Sequence, residues 1–309
     1  MDINKFKYCI NNSYAKDTCY PSLQDEWSLD NKALGHCAIV AIKVYMLYGG
    51  EIRRVSIKGS NIRHYYNYVN NEIIDLTKSQ FKNNEEYENE VIKTYEDVIS
   101  NSEFSERYKI FDKKFNDMAN KLDEIDNKIL NCERCRDLVE KFNYHTSINY
   151  GISNDLLIVG EAPANNGWRK SGKCWYDING NITGSGRIMN KLLQTVNMKV
   201  EDVTFIEAVK CYPVLRSNLS KCKLNCYSYL EEQIKLLNPK VILTLGDTAT
   251  CSVLKDLKYK NFAEVVGKQF VLSIDFNNYC VIPIYHPSPI SPKGYKGNLP
   301  IFSILKDIL

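Results

Sequence analysis

Nowhere in the 309 residues does an apolar run approach the ~20 consecutive residues that a bilayer span requires. The opening segment MDINKFKYCI also lacks the hydrophobic stretch of a secretory leader. Both absences predict a soluble, cytoplasmic chain with no membrane partner. Glycine and proline are few, 15 and 9, which excludes collagen-like and low-complexity classes. No internal repeat is visible. What is present is ordinary for a globular protein, with 44% hydrophobic and 25% charged residues. At roughly 100–200 residues per domain, this length favours two domains over one. The 11 cysteines are an odd count, which suits thiols or metal ligands in a reducing compartment better than a disulfide framework.

The net charge of +3 conceals an asymmetry. Residues 1–126 carry 17 basic and 21 acidic side chains, and residues 127–309 carry 23 and 16, so the two parts are at −4 and +7. A basic second part suggests a polyanionic partner for that part alone. The same division, 1–126 and 127–309, is the expected domain organisation. In the first part, Gly35 to Tyr48 reads as a helix with Cys37, Val40, Ala41, Val44 and Tyr48 on one face, stopped by Gly49-Gly50. Two short strands follow, Arg63–Val69 and Glu72–Leu76, joined at Asn70-Asn71. From Lys82 to about Leu130 the chain is charged and helical in pattern. This is a small α+β domain ending in a helical linker.

From Asp155 onward, strands and helices alternate. LLIVG, VTFIEAV, KVILTLG, QFVLSI and YCVIPIYH read as strands; GRIMNKLLQTV, CYSYLEEQIKLL and TATCSVL read as helices. This alternation predicts an α/β domain with a mostly parallel sheet flanked by helices. Ligands in such sheets bind at the carboxyl ends of the strands. GEAP, EAVKC and HPSP fall there. Cys132 and Cys135 form a C-x2-C pair, and Cys211 and Cys226 lie far downstream, the last on a helix face with Leu230, Ile234 and Leu237. Four thiolates so spaced can hold an iron–sulfur cluster or a zinc. Scattered buried thiols satisfy the spacing equally well.

Five motifs occur in order: C-x2-C-x2-L-V, then GEAPANNGWRKSGKCW, then EAVKC, then C-x3-L-x2-Q-I-x4-P-K-V-I-L-T-L-G, then HPSP. Over about residues 130–305 this run resembles the uracil-DNA glycosylase superfamily, in particular its iron–sulfur families 4 and 5. GEAP and HPSP are similar to family 4, and P-A-x2-G-x4-G-K to the family-5 loop. The resemblance implies a DNA glycosylase with DNA as partner and a structural 4Fe–4S cluster on Cys132, Cys135, Cys211 and Cys226. It places Glu161 and His286 as catalytic residues, and Ala162, Trp175 and Glu207 at the base. Cutting an N-glycosidic bond leaves positive charge on the sugar and negative charge on the base, and the base must first leave the stack. Trp175 occupies the stacking position, with Trp168 and Tyr176 as neighbours able to serve instead. His286 corresponds to the histidine that donates to base O2, a preorganised donor for developing charge. Glu161 can orient the attacking water or stabilise the sugar cation, or serve as a structural carboxylate. Ile290 fits the apolar wedge of the superfamily's loop, flanked by Lys293 and Lys296 for phosphates or for solvent.

One position departs from the resemblance. Where relatives carry an Asn-Val-Val-Lys-Cys type of strand, this chain has Glu207-Ala208-Val209-Lys210-Cys211. The asparagine accepts from uracil N3–H and donates to O4, whereas an ionised glutamate only accepts. An ionised Glu207 therefore suits a base edge with two adjacent N–H donors. A Glu207 protonated by burial would donate to O4 and keep uracil. A side chain turned away from the pocket would do neither.

In the first domain, Cys37 begins a helix in GHCAIVA, where the helix dipole favours a thiolate. His64 and Asp75 follow on successive strands, the chain order of papain-like and transglutaminase-like hydrolases. The segment with GHCAIVA, GGEI, HYYN and DLTKSQF is similar to the YunG-like bacterial proteins over residues 1 to about 120, a resemblance that implies no activity. A degenerate or purely binding domain is the competing reading of Cys37, His64 and Asp75. The expected protein is a DNA glycosylase acting on a flipped uracil-like or otherwise modified base. The alternatives are a cysteine hydrolase or amidase brought to DNA by a non-cutting glycosylase fold, and a binder of modified bases.

Overall fold

The helix that follows Gly35 organises the first part of the chain. The computed structural model describes residues 1–81, 85–100, 102–139 and 145–309, and divides into two compact units, Met1–Asn120 and Lys121–Leu309. In the first unit, α1 (Ile3–Asn11) is capped by Asp2, whose carboxylate accepts from the Asn4 N–H at 2.9 Å and the Lys5 N–H at 3.2 Å. Helix α2 (Cys37–Tyr48) buries the continuous run Ile39–Val44 and stops at Gly49, φ +69°. Four antiparallel strands follow: β1 (Glu51–Ile57), β2 (Arg63–Val69), β3 (Glu72–Ile74) and β4 (Tyr87–Lys93). They stand in the order β3-β2-β1-β4, with α2 packed on β1 and β2. Asn70 and Asn71 have φ of +50° and +66°, the left-handed pair that a two-residue hairpin needs.

Two strands of this unit were hidden in the sequence. The expected helix from Lys82 to Leu130 is instead β4, a short α3 (Tyr95–Ile99) and α4 (Ser102–Leu130). Its opening residues, 82–84, lie outside the described residues, as does 101. Strand β4, YENEVIK, is mostly exposed at the sheet edge, so charge masks its alternation. Pairing with β1, from Ile52↔Lys93 to Ile57↔Tyr87, makes it a strand. Strand β1 itself carries Arg53 and Arg54 and reads as loop without its partners.

In the second unit the strands are β5 (Ile148–Asn149), β6 (Ser153–Gly160), β7 (Val203–Glu207), β8 (Val241–Leu245), β9 (Phe270–Ile274) and β10 (Asn277–Ile284). Their order is β5-β7-β6-β8-β10-β9, with β7, β6, β8 and β10 parallel and β5 and β9 antiparallel at the edges. Strands β7 and β8 are buried along their whole length, as expected when helices cover both faces. The helices are α5 (Trp168–Ser171), α6 (Gly184–Gln194), α7 (Leu219–Leu237), α8 (Gly246–Val253) and α9 (Leu299–Ile308). Leu156, Ile158, Leu243 and Ile282 form the sheet side of the core, and Met189, Leu192, Phe302 and Leu305 the helix side. Helix α7 begins before the expected CYSYLEEQIKLL and ends at Asn238, φ +43°, ahead of Pro239. Because β7 and β8 lie on opposite sides of β6, the chain reverses its winding there. The carboxyl ends of β6, β7, β8 and β10 consequently meet around one crevice. No helix among the described residues is long and apolar enough to cross a membrane.

Candidate active site

A cavity of about 800 Å³ opens at those strand ends, lined by Glu161, Ala162, Trp175, Glu207 and His286 among others. These five residues singled out in the sequence thus line one cavity, together with Trp168 and Tyr176. Ile290 is 93% exposed on the loop after β10, and Lys293 and Lys296 are exposed just beyond it, outside the cavity lining. Cys132, Cys135, Cys211 and Cys226 belong to a separate neighbourhood of the second unit. Cys37, His64 and Asp75 come together in the first unit.

Glu207 ends β7 opposite Gly160 of β6. A Cβ at Gly160 would collide with Glu207 Oε2 and the Phe205 ring, so glycine is the side chain this register allows. Phe205 and Glu207 are two apart on one strand and project to the same side. Glu207 is 7% exposed, and its Oε2 has no hydrogen-bond partner among the described residues. Burial raises its pKa to about 8, opposed by the charge of Lys210 and assisted by that of Glu161. Lys210, also buried, donates to the Glu207 carbonyl and to Gln233 Oε1, and Gln233 Nε2 donates onward to the Ser147 carbonyl at 3.1 Å.

Glu161 behaves in the opposite sense. Burial works to raise its pKa, but hydrogen bonds from Arg216 and Thr248 and the charges of Arg216 and His286 outweigh it and lower the pKa. Both Arg216 terminal nitrogens donate to the carboxylate, Nη2 to Oε2 at 2.7 Å. His286 stands at the accessible cavity mouth, yet crowding by protein lowers its pKa against the pull of Glu161. At neutral pH the imidazole is therefore uncharged and able to donate one N–H. Its loop is pinned by Asn298, which is fully buried. Asn298 Oδ1 accepts from the Tyr285 N–H at 2.9 Å, and its Nδ2 donates to the Tyr285 and Gly294 carbonyls at 2.8 and 3.0 Å.

The aromatic wall is larger than expected. Phe205 meets Trp175 edge-on at 5.0 Å and Trp168 at 5.6 Å. Trp175 has φ +70°, an unusual backbone state for a bulky residue and one that clusters at functional sites. Phe205, Arg216, Thr248 and Asn298 were not singled out from the sequence. Only Phe205 left a local signal, its two-residue offset from Glu207.

Of the four cysteines, Cys135 and Cys226 pack with Val209 and Leu219, against Leu138, Val139 and Ala162. Cys226 accepts from the Lys210 N–H at 3.4 Å and Cys135 from Asn225 Nδ2 at 3.2 Å. Cys226 lies within electrostatic reach of Cys132 and Cys135, and Lys210 within reach of Cys226 and Cys211. An all-sulfur set with N–H groups aimed at it is the donor chemistry of an iron–sulfur cluster. Among the described residues no three such side chains close around one point. A fifth cysteine, Cys222, packs with Cys135 and Cys226, its thiol pushed up to about 12 by burial and the Cys135 charge. Its signal was the four-residue offset from Cys226 on α7.

A doubly wound sheet whose strand ends present two carboxyl groups, an imidazole and an aromatic wall has the make-up of an α/β enzyme's ligand pocket. Residues 149–305 match the family model of the uracil DNA glycosylase superfamily. The chain belongs to that superfamily, and with it to the DNA glycosylases. It is similar to the type-4 uracil-DNA glycosylase of Saccharolobus solfataricus, 28% identical over 174 residues, covering 54% of this chain and 76% of the relative. It is similar also to the type-5 uracil-DNA glycosylase of Pyrobaculum aerophilum, 24% identical over 192 residues, covering 55% and 83%. A type-4 relative from Thermotoga maritima is 30% identical over 139 residues, covering 44% and 66%. Residues 2–120 match the YunG protein family.

Asn298→Ala removes the amide that satisfies three backbone groups below His286. Leaving buried groups unpaired costs about 1–3 kcal/mol, so hydrogen exchange at the Tyr285 amide is expected to accelerate about tenfold or more. Unchanged exchange would show that other contacts hold the loop.

Proposed function

We propose that the chain hydrolyses the N-glycosidic bond of uracil in DNA, and that Glu207 reads the base as a neutral carboxylic acid. The observation that carries this reading is the buried, unpartnered Oε2 of Glu207 in the cavity. A protonated carboxyl has one O–H donor and one carbonyl acceptor, the same pair an asparagine amide offers. It accepts from uracil N3–H and donates to O4. Ionised, the same group would set a negative charge against O4 in a poorly solvated pocket.

The flipped base lies against the aromatic wall, with Trp175 as its stacking platform. Neutral His286 donates to base O2 as negative charge develops on the departing ring. Glu161, held ionised by Arg216 and Thr248, orients the attacking water and faces the positive charge on the sugar. Ala162 lines the cavity at the base. Ile290 enters the stack beside the vacated site, and Lys293 and Lys296 meet phosphates. A 4Fe–4S cluster on Cys132, Cys135, Cys211 and Cys226 belongs to the proposal. When bound, it supplies a covalent anchor between distant segments and no redox step is asked of it.

The pH dependence follows from Glu207. With a folded pKa near 8, the acid is largely protonated at pH 7 and ionises as pH rises through that value. Single-turnover uracil excision is therefore expected to fall on the alkaline side of pH 8. Lys210 and Glu161 are the charged groups acting on Glu207. Glu207→Gln isolates its role, because the amide keeps a donor and an acceptor and cannot ionise. This variant should retain uracil excision and lose the alkaline fall. If the fall persists in Glu207→Gln, Glu207 is not its source. A wild-type enzyme that ignores uracil and cuts a base with two adjacent N–H donors would mean that Glu207 works ionised.

His286→Ala removes one donor to the leaving base, typically worth ~10²–10³ in rate. Single-turnover excision should drop by that order while binding of abasic-site DNA is maintained. An unaltered rate would move leaving-group stabilisation to another residue.

For the cluster, protein purified without chelators should be yellow-brown with about four irons per chain. Colourless, iron-free protein with normal excision would remove the cluster from the proposal.

A further inference from the structure

The segment that delivers Cys37 is held more firmly than a surface turn requires. Gly35 has φ +71°, and a Cβ there would press on Cys19 Sγ at 2.7 Å and the Tyr20 nitrogen at 2.8 Å. Arg107 Nη1 donates to the Thr18 and Gly35 carbonyls at 3.1 and 3.2 Å. His36, fully buried, spends both ring nitrogens on structure, contacting Thr18 Oγ1 at 2.9 Å and the Leu34 carbonyl at 2.8 Å. The result is one partly exposed thiol, Cys37, at the first position of α2. The first-turn N–H groups there lack helical acceptors.

Behind it stand two buried partners. His64 Nε2 lies 2.8 Å from Asp75 Oδ2, with side-chain exposures of 0% and 7%. Asp75 is itself oriented, accepting from the Tyr87 hydroxyl at 3.0 Å and the Thr77 N–H at 3.2 Å. Because the carboxylate only accepts, Nε2 carries the hydrogen, and Nδ1 is the ring nitrogen that the thiol shares with Gln80. Gln80 Nε2 approaches Nδ1 at 3.0 Å, an amide donor beside the reacting pair. Cys37 also hydrogen-bonds His64; burial opposes charge on the ring, but the bonds to Asp75 and Cys37 prevail and raise its pKa to about 9.

We propose that the first unit is a thiol-dependent acyl hydrolase, with Cys37 as nucleophile, His64 as general base and acid, and Asp75 as the residue that orients His64. Its substrates are carboxylic amides or esters. Cys37 Sγ, its proton already passed to His64 Nδ1, bonds to the carbonyl carbon. The carbon–nitrogen or carbon–oxygen bond then breaks, and the same proton leaves with the amine or alcohol. Water attacks the resulting thioester, giving up its proton through His64. The carboxylic acid departs and the Cys37 thiol is regenerated. The first-turn N–H groups of α2 and the Gln80 amide are the donors available to the developing oxyanion.

The test uses the full chain with p-nitrophenyl acetate as the acyl donor. One equivalent of p-nitrophenolate should be released as a burst, with the acetyl group found on Cys37 by peptide mass spectrometry. Cys37→Ser should abolish the burst, and Asp75→Asn should slow it by ~10²-fold or more. Circular dichroism and iodoacetamide labelling of Cys37 serve as controls in case Asp75→Asn loses its fold. Labelling of wild-type Cys37 should then run well ahead of that of the other ten cysteines. A burst that survives in Cys37→Ser, or acetylation and alkylation spread evenly over the cysteines, would overturn the proposal.

Discussion

A carboxyl group held out of water at the end of β7 is the constraint on which the second unit turns. Glu207 reaches the cavity only because its neighbour across the sheet is Gly160. Burial pushes its pKa up to about 8, costing the carboxylate more than the nearby Lys210 charge returns. Lys210 is itself tied down by the Glu207 carbonyl and Gln233. A polar network in a dry interior fixes positions tightly when its members are satisfied. Here one oxygen, Glu207 Oε2, has no hydrogen-bond partner among the described residues, in a side chain that lines the cavity.

The two carboxyl groups of the cavity illustrate how environment divides labour. Glu161 follows β6 directly and Glu207 ends the neighbouring parallel β7, yet their pKa values move apart. Arg216 and Thr248 surround the first with donors. The second has a phenyl ring, a glycine and an oppositely charged neighbour it does not pair with directly. One is suited to carry charge against a cationic sugar, and the other to read a neutral base edge. Neither role follows from residue type.

The first unit uses the same physics with different groups. His64 and Asp75 are withdrawn from solvent and Cys37 is left partly open, so the sulfur is the accessible member of the three. His36, next in sequence to that cysteine, shows the contrast. Burial lowers its pKa to about 4, and both its nitrogens are spent on the turn. Adjacent in sequence to Cys37, it is structural.

Much of this was legible beforehand because it rests on period and punctuation. Apolar runs separated by helical repeats implied the parallel sheet, and the motifs after LLIVG, VTFIE and VIPI fell at strand ends where ligands bind. Asn70-Asn71 marked the first unit's hairpin. Strands β1 and β4 escaped because their charged residues face solvent, and only pairing reveals them. Arg216, Thr248, Asn298 and Cys222 escaped because their value lies in contacts made across the fold. The amino-acid sequence by itself determined which chemical groups are available and roughly where along each strand they fall. Tertiary structure decided their ionisation: a glutamate's charge depends on what surrounds it, and that is settled only when Gly160, Phe205 and Lys210 close around Glu207.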